Sequence, residues 1–172
     1  MANPLARWAL PDSVAGMSDL TVPKRRLPVT VTLAGGMRRE VILFLAEGVS
    51  GHEGGERLSD LLNGGSDFIP ALEVETHAMT FLNRAAVLIA EAGPLAERPA
   101  SDDLSLPVEH EVELTLADGR ALRGGLSYVL PPDHARVADY LNDGTPFLPL
   151  HGDAGVQLVN KLHVTRVVLV ER

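Results

Sequence analysis

Two short stretches of the chain set an amide beside a cation, Asn83-Arg84 and Asn160-Lys161, each just ahead of an apolar run. Together they can grip an anion or a partner's carboxylate, because both donate hydrogen bonds and one adds charge. The same residues also suit a structural role, with Asn taking a left-handed turn or bulge and the base guarding an edge strand. Histidine is the other chemistry-bearing type, at positions 52, 77, 110, 134, 151 and 163. Imidazole binds zinc or iron without any thiolate, and His110, His151 and His163 would be the ligands of a metal-dependent enzyme. Their spacing does not support one. His52-Glu53 continues into Gly-Gly-Glu, so no HExxH helix is present, and no His-x-His pair occurs. There is also no GxSxG elbow and no Ser-x-x-Lys pair, and the double glycines at 35, 54, 64 and 124 are not followed by Lys-Ser/Thr. No catalytic residue, metal site or cofactor is therefore assigned. The single Trp of the chain, Trp8, stands near Leu5 and Leu10 in PLARWALPDSVAGM. Such an apolar cluster either folds back on the body or anchors in another protein, for which Trp is well suited.

Composition narrows the partners. The 15 Lys+Arg against 23 Asp+Glu leave a formal net charge of −8, which repels phosphate backbones and anionic membranes and makes nucleic acid an unlikely partner class. Lys24-Arg25-Arg26 reads as a solvated junction, too short to outweigh the acidic body. No stretch is apolar for the roughly 18 residues a spanning helix requires, and MANPLARWALPDS lacks the charged and apolar regions of a leader. With no cysteine at all, disulfides and sulfur-ligated metals are excluded, and a cytoplasmic location is the expectation.

These residues sit within a pattern written twice. RLSDLLNGGSDFIPA, residues 57–71, is echoed by RVADYLNDGTPFLPL, residues 136–150, with Arg, Asp, Asn, Phe and Pro all displaced by 79 positions. LPVTVTLAGG upstream answers LPVEHEVELTLADG, and LNRAAVLI downstream answers VNKLHVTRV. The organisation predicted is an N-terminal extension (residues 1–26), a first β repeat (27–92), a Pro-, Asp- and Ser-rich linker (93–105) and a second β repeat (106–172). One repeat alone, about 65 residues, would bury only about 60% of its unfolded surface, which favours a shared core.

Each repeat should open with a half-buried strand, since Val108, His110, Val112, Leu114 and Leu116 alternate with Glu109, Glu111, Glu113 and Thr115. Gly35-Gly36 and Asp118-Gly119 would supply the positive φ angles of two-residue hairpin turns. A second strand follows, then a short amphipathic helix in which Leu58, Leu61 and Leu62, or Val137, Tyr140 and Leu141, share a face. Asn63 and Asn142 read as left-handed C-caps. FIPAL and FLPL come next as strands whose proline belongs at an edge or a bend. The last strands, AAVLIA and VVLV, are apolar on both faces and should pack one repeat on the other. Arg57-Asp60 and Arg136-Asp139 are spaced as helix surface ion pairs.

The short helix ending in Asn, the Phe-x-Pro strand and the final Asn-basic-apolar strand resemble a group of small bacterial domains similar to Sm-like and SH3-like barrels. The resemblance implies a mainly β protein of tandem β-β-α-β-β units, forming a small barrel or sheet with pseudo-twofold symmetry. In Sm proteins the RNA-contacting loops hold an Asn and an Arg-Gly-Asn-like turn. An Sm-like nucleic-acid binder using Asn83-Arg84 and Asn160-Lys161 is therefore one alternative reading, with a helix standing where Sm proteins continue a strand. The favoured expectation is a non-enzymatic adaptor or scaffold module that binds a protein partner through exposed strand edges or the segment bearing Trp8, with self-association left open.

Overall fold

The computed structural model describes residues 24–47, 55–97, 108–129 and 136–170. The described chain is mainly β. Its first half runs β1 (Lys24–Leu33), β2 (Arg38–Ala46), α1 (Leu58–Leu62), β3 (Phe68–Glu73), β4 (Met79–Asn83), a 3-10 turn (Arg84–Ala86), β5 (Val87–Ala92) and a second 3-10 turn (Pro94–Glu97). The second half runs β6 (Val108–Leu116), β7 (Ala121–Tyr128), α2 (Val137–Leu141), β8 (Phe147–Gly152), β9 (Gly155–Asn160), a 3-10 turn (Lys161–His163) and β10 (Val164–Leu169). No helix among the described residues is long and apolar enough to cross a membrane.

All ten strands join one antiparallel sheet in the order β10-β6-β7-β8-β9-β5-β1-β2-β3-β4. The sheet is open, with β10 and β4 as its two ends. Each half carries five strands where four were expected. β4 and β9 were hidden because each meets the next strand through a 3-10 turn of only three residues. The order within the first half, β5-β1-β2-β3-β4, recurs in the second as β10-β6-β7-β8-β9. The halves meet where β5 pairs with β9, Ile89 opposite Val159 and Ala92 opposite Val156. At this junction the fifth strand of one half meets the fourth of the other, and the reciprocal pairing of β10 with β4 is not made among the described residues.

Alternation makes the long hairpins. β1 and β2 bury Leu27, Val29 and Val31 with Val41, Leu43 and Leu45, and β6 and β7 bury Val112, Leu114 and Leu116 with Leu126. Lys24, Arg25 and Arg26, expected in a solvated junction, extend β1 and pair with Ala46, Leu45 and Phe44. Gly35 and Gly36 both take positive φ, as the turn requires, but in the second hairpin only Gly119 does. Asp118 instead accepts a bond from the Arg120 amide. The prolines occupy bends. β3 pairs with β2 only from Ala71 to Glu73, and β8 with β7 only at His151, so Pro70 and Pro149 lie where the strand has left its inner neighbour and no ladder donor is needed.

The core has two lobes. One gathers Leu43, Leu45, Leu58, Leu62 and Ile69 of the first half with Phe147, Val156 and Leu158 of the second. The other gathers Val112, Leu114, Leu126 and Leu150 with Leu88 and Ile89 of the first half. Each half thus contributes side chains to the other's lobe. Within the segment expected as the linker, Ala96 is buried and Glu97 accepts bonds from the Ser59 amide (2.6 Å) and hydroxyl (2.7 Å).

Candidate functional site

The two amide–cation pairs occupy matching places. Asn83 and Asn160 each open a 3-10 turn, Asn83 Oδ1 accepting from the Ala85 amide (2.9 Å) and Asn160 Oδ1 from the Leu162 amide (3.0 Å). Both have extended φ and ψ, so neither takes the left-handed turn. Arg84 Nη1 donates to the Gly64 carbonyl just after α1. Lys161 Nζ donates to the Leu141 carbonyl at the end of α2 (3.2 Å) and pairs with Asp143 (2.7 Å). Their side chains retain only 20% and 18% exposure, so both cations are turned inward onto helix-terminal carbonyls. Asp143 is held below the usual carboxylate range: burial opposes this, but the bonds from Lys161 and Thr145 outweigh it.

The asparagines at the helix ends are also placed differently from the expectation. Asn63 and Asn142 have φ of −88° and −106°, not left-handed values. Asn63 reaches across to the second half, where Nδ2 donates to the Phe147 carbonyl (3.2 Å) and Oδ1 accepts from the Phe147 amide (2.7 Å). Asn142 Nδ2 turns back to the Ala138 carbonyl (2.6 Å). Arg57 and Asp60 form the expected ion pair (3.1 Å), raising the Arg57 pKa through that hydrogen bond, whereas Arg136 and Asp139 form none among the described residues.

The second-half histidines have separate tasks. His110 lies over Tyr128, whose ring stacks on Tyr140 at 4.5 Å. Burial, with Asp143 and Glu97 nearby, pushes Tyr140 up to about 12. His163 Nε2 meets the Ala85 carbonyl (2.9 Å), tying the two 3-10 turns together. No three His, Asp or Glu side chains among the described residues are gathered as a metal would require. Trp8 lies outside the described residues.

An exposed apolar surface with internal order lies on the outer face of the β3–β4 hairpin. Antiparallel register sets Phe68 opposite Asn83, Pro70 opposite Phe81 and Leu72 opposite Met79, and directly opposed residues share a face. Phe68, Met79 and Phe81 are 56%, 55% and 66% exposed. The β8–β9 hairpin has the same register, with Phe147 opposite Asn160, Pro149 opposite Leu158 and His151 opposite Val156. There Phe147, Val156, Leu158 and Asn160 are buried, because that face is seated on the first half. One hairpin face is therefore filled and its counterpart is open among the described residues. Period-2 alternation could place these side chains on one face, but no local signal says which face a neighbour will cover. Compared with protein-family models, with curated proteins and with solved structures, the chain matches none.

Proposed function

We propose that the chain is a non-enzymatic adaptor or scaffold module that binds a protein partner through its open strand edge, β4 and the adjoining face of β3. The observation that carries this reading is the exposed Phe68, Met79 and Phe81 on a terminal strand. Unpaired backbone donors and acceptors beside an apolar face are what a partner's strand would need to extend the sheet. Soluble proteins blunt such edges with charge or proline, and β4 carries neither.

The finer reading of the fold belongs here too. The halves represent one Sm/SH3-like unit written twice, at residues 27–92 and 106–172. Support comes from the repeated strand order, the identical hairpin register and the matched ties of Arg84 and Lys161 to helix-end carbonyls. The inward turn of Arg84 and Lys161 withdraws the two cations on which a nucleic-acid reading would rest. The apolar segment around Trp8 is a second docking element in the same reading.

The test is affinity capture with the full chain as bait, beside Met79→Lys/Phe81→Lys and Trp8→Ala baits. A protein retained by the parent and lost with either variant supports the reading. Retained material absorbing at 260 nm with no protein would overturn it in favour of nucleic-acid binding.

A further inference from the structure

The geometry points to a docking face for an acidic amphipathic helix of a partner protein, on the outer side of β1, β2, β3 and β4. This deepens the adaptor reading by naming what the partner lays on the face beside the open edge, and it rests on that reading. Residues directly opposed across antiparallel strands share a face. Pro28 stands opposite Ile42, Ile42 opposite Leu72 and Leu72 opposite Met79, so one row of the outer side is apolar across all four strands. Two residues along, Phe44 on β2 and the opposed pair Pro70 and Phe81 point the same way. On β1 this side ends in cations, with Arg26 opposite Phe44 and Lys24 opposite Ala46. The side chains of Arg26 and Lys24 are exposed and make no ion pair or hydrogen bond among the described residues.

Folding does not ask for this face. The β1–β2 and β6–β7 hairpins match position by position, Thr32 opposite Arg38 in one and Thr115 opposite Ala121 in the other. Their inward positions keep one character: Val29, Val31 and Leu43 correspond to Val112, Leu114 and Leu126, and all six are buried. Their outward positions do not. Where the first hairpin has Arg26 opposite Phe44 and Pro28 opposite Ile42, the second has Glu109 opposite Ser127 and Glu111 opposite Gly125. A lobe of this kind therefore forms with a polar outer side, and the large apolar side chains flanked by two cations on the first half serve something other than its own core.

The occupant follows from what a sheet face can and cannot offer. A face, unlike an edge, has no free backbone groups, so whatever lies on it must pair its own, as a helix does. Strands about 4.8 Å apart set β1 roughly 14 Å from β4. A helix about 10–12 Å across, lying along β2 and β3, fits between them with one flank over Lys24 and Arg26 and the other over Met79 and Phe81. Carboxylates on the first flank complete the charge match. A broad anionic surface such as a bilayer or a nucleic acid fits less well. Glu40 and Glu91, both opposite Thr30, lie on the same outer side just beyond the apolar row, and the whole chain carries a net charge of −8.

Fluorescence anisotropy of two labelled synthetic helices, titrated with the full chain, tests this. Both carry leucines at i, i+3, i+4 and i+7; one has glutamates along a flank and the other lysines at the same places. The glutamate helix should bind roughly tenfold more tightly in low salt, and added salt should shrink the difference. Lys24→Glu/Arg26→Glu should reverse the preference, which a purely structural role for those residues would not do. Met79→Ser/Phe81→Ser should weaken both helices alike. Equal affinities, a preference that Lys24→Glu/Arg26→Glu leaves unchanged, or binding of neither helix would each overturn the inference. Phosphatidylserine vesicles bound in preference to the glutamate helix would assign the face to a membrane, and a dimer dispersed by Met79→Ser/Phe81→Ser would assign it to a second copy; either result overturns it. Trp8 is the single Trp of the chain, so emission that moves to the red in Met79→Ser/Phe81→Ser before any helix is added would give the face to the chain's own N-terminal segment and overturn it as well. If the helices fail but a captured protein is still lost with Met79→Lys/Phe81→Lys, the adaptor reading stands without this inference; if that capture fails too, both fall.

Discussion

Phe147 and Phe68 occupy the same position of two hairpins with the same register, yet one is 1% exposed and the other 56%. Replacing each with Ala compares one chemical change in two settings. Phe147→Ala removes an aromatic ring from a lobe lined by Leu58, Leu62, Ile69 and Leu158. The loss of transfer energy and the cavity left behind together cost about 3–5 kcal/mol. Phe68→Ala removes a ring already largely in water and should cost about 1 kcal/mol or less. For a chain of this size each kcal/mol lowers Tm by about 2–4 °C, so Phe147→Ala should melt roughly 6–20 °C below the parent. Urea unfolding followed by far-UV circular dichroism measures both. Because Phe147 belongs to the second half and fills the lobe of the first, its loss should also split a single transition into two. Costs that differ by less than about 1 kcal/mol would refute the claim that the two halves share this lobe.

Asn160→Ala strands the buried Val87 carbonyl and the Leu162 amide and should cost about 2–4 kcal/mol. Asn83→Ala frees only the Ala85 amide and should cost about 1 kcal/mol, both costs being read from urea midpoints. Gly155→Ala should prevent β5 from pairing with β9, because a Cβ there would stand 2.3 Å from the Ala92 carbonyl oxygen and φ is +141°; expression as an insoluble or early-melting chain is the expected outcome. Burial raises the Glu97 carboxyl above its ordinary value of 4.5 despite two bonds from Ser59. The folded state therefore holds that proton longer than the unfolded one, and stability falls as pH rises from the unfolded value through the folded one. Glu97→Gln should flatten this fall, and matching pH slopes for variant and parent would contradict it. Asp143 acts in the opposite sense: its contribution is present above the unfolded value of 3.8 and is lost as pH falls through the lowered folded value. Asp143→Asn should remove that acid-side loss from the urea midpoints.

The elements that depend on local pattern were legible in the sequence. Alternation marked β1 and β6, the i, i+3, i+4 leucines marked α1 and the Phe-x-Pro strands showed where ladders break. β4 and β9 were not, since strands of five or six residues that end in an Asn-led 3-10 turn look like the start of the strand that follows. Burial was legible only in part. VLIA and VVLV are equally apolar, yet β5 lies between two strands and β10 lies at an end. The roles of Asn63 and Asn160 were out of reach for a similar reason. Their partners, Phe147 and Val87, are 84 and 73 residues away, and no spacing within a helix or turn points to them.

The pairing of β5 with β9 also fixes an order of events during synthesis. Ile89 waits for Val159, 70 residues later in the chain. At ribosomal speeds of about 5–20 residues per second, β5 stands without its neighbour for roughly 4–14 s. In that interval the first half can close its hairpins, but its edge displays Val87, Leu88, Ile89 and Ala90 unshielded. A β9 strand from another nascent chain on the same message would fit that edge as well as its own does, which makes crowded translation the moment when strand exchange between molecules competes with correct folding.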